Sequence, residues 1–302
     1  MRPTLSIIIV NWNTKKLTKQ CLDSILTNDK RLDLSGRATV KEEVVPTEII
    51  VVDNGSTDDS IKYLKSLKKI KIIFNKDNLG FGKANNQGIK TAQGEYVLLL
   101  NSDTIIKEGA ISQTVHWMAA HPEAAVAGCK LLNPDGSSQS SFGSFPDLAT
   151  VFLMLFKEHF LGSKKVRRTG NKIEETDWVM GAFLLTRKST LEQAGLLDEG
   201  IFMYMEEVEW CYRVKQLGLK IFFYPNAKIT HLGRGSSASG KTDPILNIFR
   251  GLNYFYRKHK SPTERLILKL MLKAKALSGW TIGILTKNDY LKSTYSQAFK
   301  LA

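Results

Sequence analysis

The sequence predicts an α/β fold: a mostly parallel, doubly wound central sheet flanked by helices, with a basic helical extension after it. Three observations predict it. Short, nearly all-apolar runs alternate with amphipathic stretches through the first hundred residues and beyond. These runs are apolar at consecutive positions, the pattern of strands buried on both faces of a parallel sheet. After about residue 240 the strand-like runs stop, and helical segments rich in Lys and Arg take over.

Residues 5–10 form the first strand, and 15–27 a helix with Leu17, Cys21, Ser24 and Ile25 on one face. Residues 47–52 are the second strand. Residues 58–67 are a helix striped by Ile61, Leu64 and Leu67, and 70–74 the third strand. A helix over 81–92 leads to the fourth strand, 96–100, then a helix over 110–120 and a strand over 124–129. The charged stretch 29–45 lacks periodicity and reads as a surface insertion, and the turn-rich 133–144 as a mobile loop. Residues 151–160 suit a helix beside a substrate cleft. A strand over 178–185, a short helix from 190, a longer one over 205–217 and two strands, 219–224 and 227–230, complete the pattern.

A chain of 302 residues, 43% of them hydrophobic, can bury a substantial core as one large domain with an appendage or as two smaller ones. Cys21, Cys129 and Cys211 are odd in number and widely spaced, which argues for ordinary core thiols in a reducing compartment. The N-terminal apolar run ends at Val10, too short for a secretory leader, and no stretch reaches the roughly 18 apolar residues of a membrane span. A cytoplasmic protein is expected. The net charge is +14, and from Arg257 onward ten Lys or Arg face only Glu264 and Asp289. Such a tail suits nucleic acid, an anionic membrane or a phosphorylated substrate. No zinc pattern, RNP1-like motif or base-reading basic helix supports nucleic acid.

In open α/β sheets, ligands bind beyond the carboxyl ends of the strands. The first strand runs out into Asn11-Trp12-Asn13 and the second into Asp53-Asn54-Gly55-Ser56-Thr57-Asp58. Asp53 can accept from a base N–H or a ribose hydroxyl, while its neighbours also suit helix capping. Neither GxGxxG after the first strand nor GxxxxGK[ST] anywhere is present, which argues against a dinucleotide-binding domain and a P-loop. In the third turn, containing Asn78, Gly80 and Phe81, two glycines let backbone approach a ligand. Asn101-Ser102-Asp103 puts a carboxylate at the end of a buried strand, where Mg²⁺ or Mn²⁺ would take it together with substrate phosphates. Glu206, Glu207 and Glu209 open a helix, which the helix dipole favours. Glu206 and Glu207 also follow the apolar run FMYM, which raises a carboxylate's proton affinity and suits a general base. His231 ends a strand before a glycine-rich loop and can ligate a metal as neutral imidazole.

Taken in order, SIIIVNWN, IIVVDNGSTDDS, NLGFGKANNQGI, YVLLLNSDT, WVMGAFLLTRKS, DEGIFMYMEEVEWCYRVKQLG and ITHLGRGSS resemble the GT-A fold glycosyltransferases of family 2. The WVMGAF and MYMEEVEWCYR segments are closest to the rhamnosyltransferase-like branch, which builds cell-envelope polysaccharides. The resemblance implies a Rossmann-like GT-A domain over 1–240 and a helical extension over 241–302. The nucleotide-binding part would be about 1–130 and the acceptor part about 131–240. It implies that Val10, Asn11, Trp12 and Asn13, with Asp53, hold the base and ribose. Asn101-Ser102-Asp103 replaces the family's DxD signature, Asp103 and His231 bind Mg²⁺ or Mn²⁺, and Trp178, Gly181 and Ala182 line the sugar and acceptor region. Glu207 falls at the position of the base, with Glu206 as the alternative, because Glu stands here where the family has Asp. Glu209 supports the site or caps the helix.

The implied reaction is inverting transfer from a nucleotide sugar, dTDP-rhamnose or a UDP-sugar, to a hydroxyl of a saccharide or lipid-linked acceptor. Arg234 and the metal would neutralise the departing diphosphate. A sugar nucleotidyltransferase is the rival enzyme reading. In the tail, residues 265–285 place Lys269, Lys273 and Lys275 roughly along one side of a helix, with Trp280 as an interfacial anchor. That suits peripheral contact with the cytoplasmic face of a membrane, or packing on the catalytic domain or on a second copy in a homodimer.

Overall fold

Ile7 and Ile9 join the core on one side of the central sheet and Ile8 the core on the other, and all three are fully buried. That is why β1 (Leu5–Asn11) is apolar at consecutive positions: its sheet is covered on both faces. The computed structural model describes residues 3–34, 44–157, 166–233 and 243–302. After β1 come α1 (Lys15–Asn28), β2 (Leu32–Asp33), β3 (Val45–Asn54), α2 (Ser60–Lys65), β4 (Lys71–Asn75), α3 (Phe81–Thr91) and β5 (Tyr96–Asn101). β4, β3, β1 and β5 are parallel neighbours in that order. Their registers bring Asn11 level with Asp53 and Val10 level with Asn101, so three polar turns converge at one edge.

The chain continues through β6 (Thr104–Ile106), α4 (Ala110–Ala120), β7 (Ala124–Leu132), β8 (Ser138–Gln139), β9 (Phe142–Gly143) and α5 (Leu148–Phe152), which passes into a π-helical turn at Leu153–Lys157. Next are β10 (Arg167–Arg168), β11 (Glu174–Thr176), β12 (Trp178–Val179), β13 (Phe183–Arg187), α6 (Lys188–Ala194), α7 (Glu206–Gln216) and β14 (Lys220–His231). β13 lies antiparallel between β5 and β7, and β14 is parallel to β7 on its outer side. β9, β10 and β12 make a separate small sheet. Residues of α1 and α4 close one face of the main sheet, and those of α3, α6 and α7 the other. The three cysteines are buried free thiols, and burial pushes Cys21 up to about 12.

Four expectations change in detail. The strand expected over 178–185 is two strands in different sheets, joined by a turn in which the Phe183 N–H donates to the Met180 carbonyl at 3.1 Å. Apolar residues continue through that turn, so periodicity does not reveal it. The two strands expected over 219–230 are one, β14, with a register shift against β7 between Tyr224 and Lys228. Pro225 falls in that shift, where its missing N–H leaves no ladder bond broken. The loop at 133–144 carries the short strands β8 and β9. Asp29, counted with the surface insertion, is buried: its carboxylate accepts from the Ile111 and Ser112 N–H groups and the Ser112 hydroxyl. Residues 35–43 of that insertion, and 158–160 of the expected helix, lie outside the described residues.

Three helices follow: α8 (Pro244–His259), α9 (Pro262–Leu285) and α10 (Asp289–Leu301). Each begins on a side-chain cap: Asp243, the Ser261–Glu264 capping box, and Asn288. Leu246, Phe249, Leu252 and Phe255 of α8 and Leu268 and Leu272 of α9 bury against Val151 and Leu155, forming a third core. Glu209 of α7 binds this unit to the α/β body. Fully buried, it pairs with Arg213 at 3.0 Å, Lys258 at 2.8 Å and His259 at 2.9 Å.

Candidate active site

A cleft of about 1100 Å³ opens over the carboxyl ends of β1, β3 and β5. Val10, Trp12, Asn78 and Phe81 line it, as do Trp178, Gly181 and Ala182, with a Cβ at Gly181 placed 3.8 Å from the Phe81 ring. Asn101, Ser102, Asp103 and His231 stand along it, as do Glu206 and Glu207 at the start of α7. Residues from α8 and α10, among them Ile245, Ile248, Tyr290 and Gln297, complete the wall.

Antiparallel pairing of β6 with β14 sets Thr104 opposite His231 and so brings His231 to Asp103. The His231 Nε2 atom is 3.4 Å from the Asp103 Oδ1 and 3.4 Å from the Asn101 Nδ2. Gln139 fixes the ring. Its Nε2 donates to the Asn133 Oδ1 at 3.0 Å and the His231 carbonyl at 3.4 Å, which leaves its Oε1 to accept from the His231 Nδ1 at 2.7 Å. The proton therefore sits on Nδ1, and the Nε2 lone pair faces Asn101 and Asp103. The Asn101 Oδ1 is buried with no hydrogen-bond partner. Among the described residues no three His, Cys, Asp or Glu cluster as a metal cage. An orphaned amide oxygen, a carboxylate and an oriented imidazole nevertheless fit a divalent cation whose other ligands are water and phosphate oxygens.

The two glutamates occupy unlike environments. Glu206 is 5% exposed, and burial, followed by the charge of Glu207, pushes its carboxyl well above the usual range. Burial also raises Glu207, but the N–H groups at the start of α7, the Gly181 N–H and the Arg167 charge draw it back. One oxygen of each, Oε2, lacks a hydrogen-bond partner. Burial thus favours the neutral form at Glu206 more strongly than at Glu207. The turn before them is strained, with left-handed Tyr204 (φ 66°) and Met205 (φ 79°) in succession.

The predicted nucleotide residues divide in two. Val10, Trp12, Asn78 and Phe81 reach the cleft; Asn11, Asn13, Asp53 and Gly80 stand behind its wall. Asn11 is saturated: its Nδ2 donates to the Asp53 Oδ2 at 2.6 Å and the Ser56 hydroxyl, and its Oδ1 accepts from Thr14 and Thr18. Asp53, 0% exposed, also accepts from the Ser56 N–H at 3.0 Å. Asn13 braces the same loop, accepting from the Thr57 N–H at 2.6 Å. Gly80 takes φ 87° at the start of α3, and a Cβ there would meet the Phe202 carbonyl at 2.6 Å. These four shape the turns that the cleft residues project from. Arg234 lies outside the described residues.

Gln139, Asn54, Arg167 and Tyr204 were not singled out by the sequence. Asn54 carried a signal, since it follows Asp53 at a strand end; its amide holds Asn78 at 2.8 Å. Gln139 and Arg167 sit in irregular segments whose approach to the site is purely tertiary.

The sheet order, the reversed β13 and the strand-end cleft define a GT-A type fold with a helical C-terminal region. The family model described as "Glycosyl transferase family 2" matches residues 6–195, and the chain belongs to that family. Glu206, Glu207 and His231 fall beyond the matched span. The chain is similar to the N-acetylglucosaminyl-diphospho-decaprenol L-rhamnosyltransferase of Mycobacterium tuberculosis, at 26% identity over 62% of this chain and 66% of that one. It thus matches slightly under two-thirds of that relative's length. Rhamnosyltransferase WbbL of Escherichia coli is 26% identical over 63% of this chain and 85% of its own. The similarity runs to the rhamnosyltransferase-like branch. Among solved structures, GalNAc-T7 with UDP, GalNAc and Mn²⁺ shares the fold, with a TM-score of 0.58 at 18% identity over 84% of this chain and 50% of that chain.

Proposed function

We propose that the protein transfers a sugar from a nucleoside diphosphate sugar to a hydroxyl of a saccharide or lipid-linked acceptor in polysaccharide synthesis, inverting the anomeric carbon. The observation that carries this reading is the convergence of a raised-pKa glutamate pair and an Asn101–Asp103–His231 corner on one cleft at the strand ends. Val10, Trp12, Asn78 and Phe81 would hold the nucleotide end, with Asp53, Asn11 and Asn13 keeping their turns in shape. Trp178, Gly181 and Ala182 would bound the sugar. Membership of the family and the names of its relatives support a dTDP- or UDP-linked donor, with dTDP-rhamnose first.

Asp103, His231 and the Asn101 amide oxygen would hold Mg²⁺ or Mn²⁺, which when bound supplies charge neutralisation at the diphosphate. Glu207, lining the cleft, takes the acceptor proton as the hydroxyl attacks the anomeric carbon. Glu206, deeper and pushed further toward its protonated form, limits the negative charge beside Glu207. The C–O bond to the diphosphate breaks as the new glycosidic bond forms on the opposite face. The C-terminal helices wall the acceptor side, which fits a peripheral position at the cytoplasmic face of a membrane. Among the described residues no helix is long and apolar enough to cross one.

A donor panel with Mn²⁺ or Mg²⁺ tests the reading, scoring released nucleoside diphosphate and the anomeric configuration of the product. Pyrophosphate release would point to nucleotidyl transfer instead. Failure to cleave any nucleotide sugar, or retained configuration, would overturn the proposal.

A further inference from the structure

A second cavity, of about 540 Å³, opens between the 200–203 turn, α8 and α9. Arg250 and Arg257 of α8 and Arg265 and Lys269 of α9 line it, without one aspartate or glutamate side chain. Three of the cations are already positioned. Arg250 donates to the Asn247 Oδ1 at 3.0 Å, Arg257 stacks over the Tyr254 ring at 5.2 Å, and Arg265 donates to the Lys260 carbonyl at 3.0 Å.

The neighbouring face of α9 is unusual. Leu268, Leu272 and Ala276 bury inward, as one apolar stripe of a helix should. Leu266, Leu270, Leu277 and Ile284 form a second stripe on the solvent side, each 44–61% exposed. Lys269 and Lys273 flank that stripe, Trp280 lies on the same flank, and no acidic residue occurs between Glu264 and Asp289. Lys275 falls on the inward side, so the expected row of three lysines is a pair. An apolar seam with cations along one flank and no acidic residue beside it complements an anionic bilayer surface, which supplies both acyl contact and negative charge.

We propose that this cavity binds a phosphate-bearing lipid headgroup, drawn from an anionic membrane surface on which the outer stripe of α9 lies. Arg250, Arg257, Arg265 and Lys269 face the phosphate. The site is distinct from the sugar-transfer cleft and does not depend on that reaction. Met203 borders both, so a headgroup bound here holds the cleft at the membrane.

The test is flotation of the full chain with neutral phosphatidylcholine vesicles and with vesicles carrying about 30% phosphatidylglycerol. Binding is expected only to the anionic vesicles and falls with salt. Arg250→Gln with Arg257→Gln weakens it about tenfold or more, each cation near such a surface contributing about fivefold. Leu270→Ser with Leu277→Ser weakens it independently, and an unchanged circular dichroism spectrum shows that both variants fold. Pyrophosphate, measured by calorimetry, distinguishes the sources of phosphate. Pyrophosphate binding without vesicle binding would overturn the lipid assignment. Vesicle binding indifferent to the arginine pair would overturn the cavity's role. A dimer that hides the stripe and abolishes vesicle binding would overturn the membrane surface.

Discussion

Gly251 of α8 approaches Met205 so closely that a Cβ at position 251 would lie 2.8 Å from the Met205 Cγ and 3.1 Å from the Tyr204 carbonyl. The third core therefore braces the left-handed turn that aims Glu206 and Glu207. Gly251→Ala is expected to cost about 1–3 kcal/mol of stability by overpacking and to lower turnover more than donor affinity. Thermal melts and steady-state kinetics check this; normal turnover in a folded variant would show that the turn does not need the brace.

Glu207→Gln is expected to lower kcat by about 10²–10⁴-fold with little change in donor KM. Glu206→Gln puts a neutral amide where burial already favours the neutral acid, so its turnover is expected to fall far less. The reverse ranking would transfer the base to Glu206.

The pH profile follows from the same pair. Burial raises Glu207, so kcat is lost on the acid side at a pH above the ordinary glutamate value of 4.5. Burial pushes Glu206 further up than Glu207, so Glu206→Gln is expected to leave the limb in place. Stability shows the second sign. The folded pKa of Glu206 exceeds its unfolded value, so its protonated form favours the fold at low pH, and that contribution is lost as pH rises from about 4.5 through the folded pKa. Glu206→Gln should therefore raise Tm at pH 8 relative to wild type and change it little at pH 4, as calorimetry at the two values would register.

Gln139→Leu removes the acceptor that keeps the His231 proton on Nδ1. The metal concentration for half-maximal activity is expected to rise about 10–100-fold, with kcat at saturating metal largely kept. Asp103→Asn should abolish metal activation. If Gln139→Leu titrates like wild type, the ring is oriented by something else.

Glu209→Gln leaves Arg213, Lys258 and His259 around a neutral amide. Burial alone would raise Glu209, but hydrogen bonds from Arg213, then Lys258 and His259, hold it below the usual range. Its stabilisation is thus present above about pH 4.5 and lost as pH falls through the lower folded value. Breaking a buried ion pair costs about 3–5 kcal/mol, and the solvent reached by Lys258 and Arg213 reduces this to about 2–3. Denaturant titration at pH 7 and pH 3 should show the difference between variant and wild type shrink at the lower pH.

The parallel half of the sheet was legible because buried strands write continuous apolar runs, and the polar residues at their ends follow at once. As cleft residues, Asn101, Asp103 and His231 were legible by the same rule, and Glu206 and Glu207 by their place at a helix start after an apolar run. Asn11 and Asp53 were legible as strand-end residues but not as partners: only the parallel register between β1 and β3 puts the amide of one against the carboxylate of the other. Gln139 and Arg167 were illegible because their approach depends on long-range pairing of short, irregular strands. The break at residues 180–182 left no polar mark at all.

The reversed strand β13 has a consequence for how the chain acquires its shape. β5 ends at Asn101, and the neighbour that covers its free edge begins at Phe183. While the protein is being made, more than half the chain must emerge before that edge is closed, and until then β5 offers an apolar, unpaired ladder to other nascent chains. Contacts of such long sequence separation slow folding. The window in which this protein is most prone to aggregate is therefore set during translation, by the distance along the chain between two strands that lie side by side in the finished sheet.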